Sequence, residues 1–259
     1  MGDFDQRAFL MPGRPLLIKD IERILEDLGQ VLFEYDELVY KDCLYLQNTF
    51  YYYLGRDYLA LWESHYDFLS SQSRLRQAKM KIAPTQPACL AKYREFLRLK
   101  KDRYRLALEW GQQDSISVEE SRKLRQLYRQ CVLAFHPLLH EQSQSAHRLL
   151  YEKARMAYRR DNRQLLQLTA NMSQEAYVQD DWRNLSMVKL LDWRGQLLNQ
   201  LFEWRYRIGM KRAEFPYVTH SQILSETQRQ KMQASFRQET QRLRSATKRN
   251  LTFLDQLDQ

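Results

Sequence analysis

Residues 121–170 have the sequence SRKLRQLYRQCVLAFHPLLHEQSQSAHRLLYEKARMAYRRDNRQLLQLTA, and this stretch decides the fold because it predicts two helices joined by a tight turn. Pro137 cannot continue a helix and disfavours helical geometry at His136, so local chemistry sets the turn. Upstream, Ser117 and Glu120 form a capping box, which predicts the start of the first helix. That helix carries apolar residues at helical spacing: Leu124, Leu127, Tyr128, Cys131, Val132 and Phe135.

The first helix and its turn, LRQLYRQCVLAFHP from Leu124 onward, resemble the second helix and turn of a J-domain, the module with which co-chaperones engage DnaK-type chaperones. The tripeptide Met156-Ala157-Tyr158 resembles the Glu-Ala-Tyr of the third helix of a J-domain. The chain is also similar to uncharacterised bacterial J-domain-containing proteins with flanking helical hairpins. The resemblance implies a J-like helical unit over residues 114–171.

The turn departs from the family pattern, which has His-Pro-Asp where this chain has His136-Pro137-Leu138. In J-domains the Asp is an exposed, charged contact to the chaperone, and its loss abolishes the stimulation of ATP hydrolysis. Leu138 offers neither a charge nor an acceptor. The resemblance therefore implies a degenerate J-like unit that keeps the packing geometry and does not stimulate a chaperone.

A basic helix face is a second feature shared with J-domains, which dock onto the chaperone through such a face. The resemblance implies a weak chaperone-docking site made of seven residues: Arg122, Lys123, Arg125, Arg129, His136, Pro137 and Leu138. A genuine co-chaperone with an unusual turn is therefore the alternative to a unit that serves only for packing.

The rest of the chain also predicts helices, because seven Gly and six Pro in 259 residues leave little material for sheets and turns. The fold class is therefore all-α. Apolar residues over Lys19–Tyr53 form a stripe wider than a two-stranded seam, so this helix is expected to pack against two neighbours. Gly55 predicts a reversal into a second helix, which gives an N-terminal helical hairpin.

The C-terminal region predicts two long helices. Trp182, Trp193 and Trp204 recur every eleven residues, which is close to three helical turns, so they are expected on one stripe of one helix. This Trp stripe is expected to be buried, within the chain or in a homodimer through the long helices, or to form a groove for a partner. The Phe-Pro-Tyr break at residues 215–217 then leads into the last helix, which completes a coiled-coil-like hairpin.

These patterns divide the chain into four consecutive parts. Residues 1–16 are expected to form a flexible leader. Residues 17–113 hold the N-terminal hairpin and a basic helix, residues 114–171 the degenerate J-like unit, and residues 172–259 the C-terminal long-helix hairpin.

Neither catalytic nor metal-binding motifs emerge from the sequence. Cys43, Cys89 and Cys131 are far apart and in no metal-ligand spacing, which predicts packing cysteines in a reducing cytoplasm. His140 and Glu141 begin like a zincin motif, but the required second His does not follow. The sequence also lacks a Gly-rich phosphate loop and a nucleophile elbow. The chain is expected to be a cytoplasmic non-enzyme without a metal or cofactor.

The net charge of +9 is unevenly spread along the chain. Residues 1–53 carry five basic and ten acidic residues, whereas residues 204–254 carry eleven basic and three acidic ones, so the two ends are expected to attract each other. No segment reaches the roughly 20 apolar residues of a membrane helix, and no membrane partner is expected.

The first functional prediction is a non-enzymatic interaction or scaffold protein whose J-like unit does not stimulate a DnaK-type chaperone. A working co-chaperone is the first alternative. The second is nucleic-acid binding through the basic faces of residues 92–105 and 204–249, which no aromatic and basic reader motif supports.

Overall fold

The computed structural model describes residues 13–81, 88–112, 116–140, 145–175 and 181–257. Within these ranges the regular backbone is helical and contains no strand, so the predicted all-α class is confirmed. Pro137 and Leu138 lie in a turn between two helices, as the sequence predicts.

The helices in chain order are α1 (Gly13–Glu37), α2 (Cys43–Met80), α3 (Ala88–Trp110), α4 (Val118–Phe135), α5 (Ser145–Arg159), α6 (Arg163–Glu175), α7 (Met187–Ala213), α8 (His220–Leu224) and α9 (Glu226–Leu257). A π-helical segment, Leu38–Asp42, joins α1 directly to α2. Short 3-10 segments precede α7 and α8: Asp181–Asn184 and Tyr217–Thr219.

The chain forms two compact units, and each takes residues from both ends of the sequence. The first unit takes its described residues from 13–42, 116–140, 145–175 and 181–214, and the second takes its own from 43–81, 88–112 and 215–257. This division differs from the four consecutive parts that the sequence pattern suggests. Helix α1 begins at Gly13, within the expected leader, and residues 1–12 lie outside the described ranges.

The first unit is organised around α1. Asp20 forms an ion pair with Arg194, and the rings of Tyr35 and Trp204 pack with their centroids 4.9 Å apart. Asp20 precedes Tyr35 in α1, and Arg194 precedes Trp204 in α7, so the two helices run in the same direction. Helix α1 also packs against α4, which confirms for α1 the prediction of two neighbours. The apolar residues that α1 buries are Leu17, Ile21, Ile24, Leu28, Val31, Leu32 and Phe33.

The second unit is organised around α2, which forms an antiparallel hairpin with α3. The ring of Tyr45, near the start of α2, packs on Trp110 at the end of α3 with 5.8 Å between centroids. Farther along α2, Trp62 packs on Phe96 at 5.1 Å. The predicted N-terminal hairpin of the first two helices is therefore wrong, and the antiparallel hairpin of this unit is formed by α2 and α3.

Helix α9 packs along α2 in the same direction. Arg237 forms an ion pair with Asp57 at 3.0 Å, and farther along both helices Asn250 donates a hydrogen bond to Ser71 at 3.0 Å. Each C-terminal long helix thus pairs with an N-terminal helix, α7 with α1 and α9 with α2, where the sequence suggested a hairpin of the two. The buried core of this unit contains Leu46, Phe50, Tyr51, Leu54, Ala107 and Ile223.

The predicted reversal at Gly55 is wrong, because α2 continues through this residue to Met80. The backbone at Gly55 does not have a positive φ. What requires a glycine here is the approach of α3: a Cβ at position 55 would lie 2.4 Å from Cδ2 of Tyr104. The glycine therefore marks a close contact between two helices and not a turn.

Gly55→Ala is expected to lower the free energy of unfolding of the second unit by about 1 to 2 kcal/mol, because the Tyr104 ring must move and this outweighs the gain in helix propensity. Urea denaturation followed by circular dichroism measures the change. The matched control is Gly209→Ala, at a helical glycine of the first unit whose added Cβ meets no atom of the same chain within 4 Å. The control is expected to be neutral or stabilising by about 0.5 to 1 kcal/mol. Equal effects of the two changes would contradict the assignment.

Candidate functional site

Helices α4 and α5 form the antiparallel pair that carries the J-like sequence. Ser117 caps α4 by accepting a hydrogen bond from the backbone N–H of Glu120 at 3.1 Å, which confirms the predicted helix start. The rings of Tyr128 and Tyr158 stack with 4.2 Å between centroids, and Phe135 is fully buried. Helix α6 closes the unit by packing on both α4 and α5.

His136 ends α4 and is buried, with 7% of its surface exposed. Its Nδ1 accepts a hydrogen bond from the backbone N–H of Leu138 at 3.2 Å, and its ring meets the Tyr151 ring edge-on at 4.6 Å. Burial, with smaller contributions from the nearby charges of His140 and Arg155, lowers the pKa of His136 to about 4. The imidazole is therefore neutral at pH 7 and held inside the turn.

A buried carboxylate joins α1 to this helix pair. Asp36 is 6% exposed, and its Oδ2 accepts hydrogen bonds from the hydroxyls of Tyr128 at 2.5 Å and of Tyr151 at 2.7 Å. Burial raises the pKa of Asp36, and these two hydrogen bonds offset part of the rise. Burial and the adjacent carboxylate raise the pKa of both tyrosines, which therefore stay protonated and donate.

Asp36, Tyr128 and Tyr151 were not singled out from the sequence as a site. The only signal was an acidic residue beside the apolar stripe of α1. The stripe itself contains Leu32 and Tyr35, and a carboxylate next to it needs buried donors if it faces the core. Which donors it meets depends on the packing of α1 against α4 and α5, which the sequence does not state.

The basic residues predicted for chaperone docking occupy two sides of α4. Arg122, Arg125 and Arg129 share one face at spacings of three and four, and all are exposed. Lys123 lies to the side and pairs with Glu119 at 2.5 Å. Arg125 pairs with Glu37 of α1 at 2.6 Å, so one member of the basic face already binds a carboxylate within the unit.

Among the remaining turn residues, only Leu138 is exposed as the predicted chaperone-docking site requires. Leu138 is exposed at 37%, and Pro137 is half-buried. Leu139 is buried and packs toward Gly29 of α1, where an added Cβ would lie 3.4 Å from Leu139 Cδ1. The turn thus presents Leu138 outward and anchors its neighbours.

The Trp stripe proposed as a partner groove is not an exposed surface. Trp182 and Trp193 are 7% and 9% exposed and pack on each other at 5.0 Å between centroids. Trp204 is half-buried against Tyr35. The three indoles also do not share one helix, because Trp182 lies in the 3-10 segment that precedes the Ser186 cap of α7. Burial within the chain, the first of the predicted explanations, accounts for them.

The basic face of α3 is partly neutralised. Arg98 pairs with Glu95 of the same helix at 2.6 Å, and Lys101 pairs with Glu63 of α2 at 2.7 Å. Such pairs reduce the positive potential that a polyanion would meet.

The cysteines separate into two classes. Cys43 and Cys131 are buried, and burial raises the pKa of the Cys131 thiol to about 12, as expected of packing cysteines. Cys89 is exposed, so its prediction as a packing residue is wrong. None of these three described residues is in a disulfide.

In the described residues, no cluster of three or more His, Cys, Asp or Glu could hold a metal ion. No helix in the same ranges combines the length and apolar character needed to cross a membrane. Comparison with protein-family models, curated proteins and solved structures found no match.

Proposed function

We propose that this chain is a non-enzymatic interaction protein in which a degenerate J-like unit serves as a packing element and does not stimulate a DnaK-type chaperone. The observation that carries the proposal is the state of His136. Its ring is buried, neutral at pH 7 and bonded through Nδ1 to the backbone of its own turn. A histidine held in this way is not presented to a partner.

The position of α1 supports the same proposal. Its Asp36 receives the hydroxyls of Tyr128 and Tyr151, and its Glu37 binds Arg125. A chaperone that docked on the basic face of α4 would compete with Glu37 for Arg125. The resemblance to J-domains thus coincides with a surface that the chain partly uses for its own packing.

The alternative, a working co-chaperone, draws on the exposed part of the same region. Leu138 points outward, and Arg122 and Arg129 are exposed on one face of α4. These residues leave a basic face and a turn on the surface. What the turn lacks is the carboxylate at position 138 through which J-domains couple to ATP hydrolysis.

Adding the natural protein to a DnaK-type chaperone is expected to leave its rate of ATP hydrolysis unchanged. Leu138→Asp is expected to raise that rate if the J-like unit keeps its docking geometry, because it supplies the missing carboxylate on an exposed position. Leu138→Asn is the matched control, since Asn has nearly the same shape as Asp but carries no charge. Steady-state ATP turnover with a peptide substrate measures all three.

Stimulation of several-fold by the natural protein would overturn the proposal and favour the co-chaperone. Because Leu138 is exposed, neither substitution is expected to change the free energy of unfolding by more than about 0.5 kcal/mol. Circular dichroism at the assay temperature checks that both variants are folded.

A further inference from the structure

Helix α7 has one buried apolar face and, opposite it, an exposed face that is largely apolar but also contains the exposed Asp192 and Asn199. Leu190, Leu197 and Leu201 lie on the buried face of this helix, which packs against α1. On the opposite side, large apolar side chains lie in an arc of about 100° and are between 48 and 76% exposed. These residues, the outer face of α7, are Val188, Leu191, Phe202, Tyr206 and Met210.

Two glycines lie in line with the outer face. A Cβ added at Gly195 or Gly209 would meet no atom within 4 Å, whereas one at Gly55 would strike Tyr104. Glycine is among the least favourable residues inside a helix, so a helical glycine usually has a packing reason. Packing inside the described chain does not supply that reason for Gly195 and Gly209.

We propose that a second copy of this chain docks antiparallel on the outer face of α7, with a two-fold axis between Leu198 and Asn199. The outer face of α7 is complementary to itself in size. With the axis at this point, Gly195 lies opposite Phe202 of the second copy, so the largest side chain of the face meets a gap. A two-fold axis repeats each such contact twice.

The outer positions of the face match in the same register. Val188 lies opposite Gly209 of the second copy, which again places a side chain over a glycine. Leu191 lies opposite Tyr206 of the second copy, which pairs two exposed apolar side chains. Alternation of large and small residues across facing positions is what close helix packing requires.

The extent of the face sets the expected strength of the dimer. From Val188 to Met210 the face is about 33 Å long, and it is one helix wide, about 10 Å. This is small beside a standard interface, which buries about 800 Å² on each partner. The dimer is therefore expected to be reversible, and each chain also carries a charge of +9 that added salt must screen.

This inference goes beyond the proposed function, because it uses α7 and needs nothing from the turn at His136. Failure of one does not decide the other: chaperone stimulation tests the turn, and self-association tests the outer face of α7.

Sedimentation velocity of the full chain from about 1 to 100 µM tests the proposal, since this range spans weak to moderate dimers. We expect concentration-dependent dimers that strengthen with added salt. Phe202→Glu and Gly195→Leu are each expected to weaken the dimer by tenfold or more. Gln164→Glu, which adds the same charge as Phe202→Glu at an exposed position of α6, is expected to leave it unchanged.

Gly195→Leu keeps the test valid if Phe202→Glu disturbs folding, because space around Gly195 is open in the monomer. A spin label on Lys189→Cys, in a Cys89→Ser background, reports the direction. In the antiparallel dimer Lys189 lies level with Ile208 of the second copy, so the two labels are separated by about 30 Å. A monomer at all concentrations, a dimer insensitive to both outer-face variants, or labels about 15 Å apart, as in a parallel pair, would each overturn the proposal.

Discussion

Replacing Tyr128 and Tyr151 together by Phe is expected to lower the free energy of unfolding of the first unit by about 3 to 5 kcal/mol. Both hydroxyls donate to the buried Oδ2 of Asp36, and a hydrogen bond to a charged group contributes about 1.5 to 3 kcal/mol. The double variant leaves the carboxylate without these two donors and creates almost no cavity. The loss therefore reports polar pairing and not packing.

Two further variants serve as controls for the Phe double variant. Tyr45→Phe, at an exposed tyrosine, is expected to change the free energy of unfolding by less than about 0.5 kcal/mol. Adding Asp36→Leu to the double variant is expected to restore part of the stability, because it removes the buried charge that lost its partners. Urea denaturation at pH 7 measures each variant.

The pH dependence of the same variant follows from Asp36. Its pKa is raised in the folded state, so its contribution is most favourable below the carboxylate's ordinary pKa and declines as pH rises through the raised value. The two tyrosine hydroxyls lower that pKa, so removing them raises it further, and the loss in the Phe double variant is expected to be larger at pH 7 than near pH 4. A loss that is equal at both, or below about 1 kcal/mol at pH 7, would contradict the role assigned to Asp36.

Acidification from pH 6.5 to pH 4 is expected to remove about 3 kcal/mol of stability through His136 alone. Its folded pKa is about 4 against an ordinary value of 6.5, and each pKa unit corresponds to about 1.4 kcal/mol. The sign follows from proton binding: between these values the unfolded chain holds the proton and the folded chain does not, so stability is full above 6.5 and falls as pH falls.

His136→Asn isolates this contribution, because the amide oxygen can accept the Leu138 N–H in place of Nδ1 but does not titrate in this range. Hydrogen exchange of α4 and α5 amides, compared between the two proteins at each pH, measures the difference. The natural protein is expected to lose protection more steeply than the variant. Parallel curves would show that His136 titrates normally, and Asp36 cancels from the comparison because both proteins contain it.

Local structure was accessible from the sequence because its causes lie within a few residues. Ser117 caps α4 as predicted, since the side chain and the amide it accepts are three residues apart. Asn162 caps α6 in the same way, by accepting the Leu165 N–H at 3.0 Å. The break after α7 also follows from local chemistry, because Pro216 cannot continue a helix.

The pairing of helices was not accessible in the same way. Periodicity shows that a helix has an apolar face but does not identify the helix that packs against it. The sequence therefore predicts a hairpin of α7 and α9, whereas in the structure α7 packs against α1 and α9 packs against α2. Gly55 is an example, because the sequence alone does not distinguish a glycine that permits a turn from one that leaves space for the Tyr104 ring.

The sequence by itself determined the helical class, the caps and the turn after α4, because hydrogen bonds between near neighbours and the absence of strand-forming patterns decide them. Only the tertiary structure decided that His136 is buried, that Asp36 joins α1 to α4 and α5, and that Trp182 and Trp193 are covered while Phe202 is not. The physical reason is that burial is a property of facing surfaces. It arises when segments distant in the chain exclude water from each other.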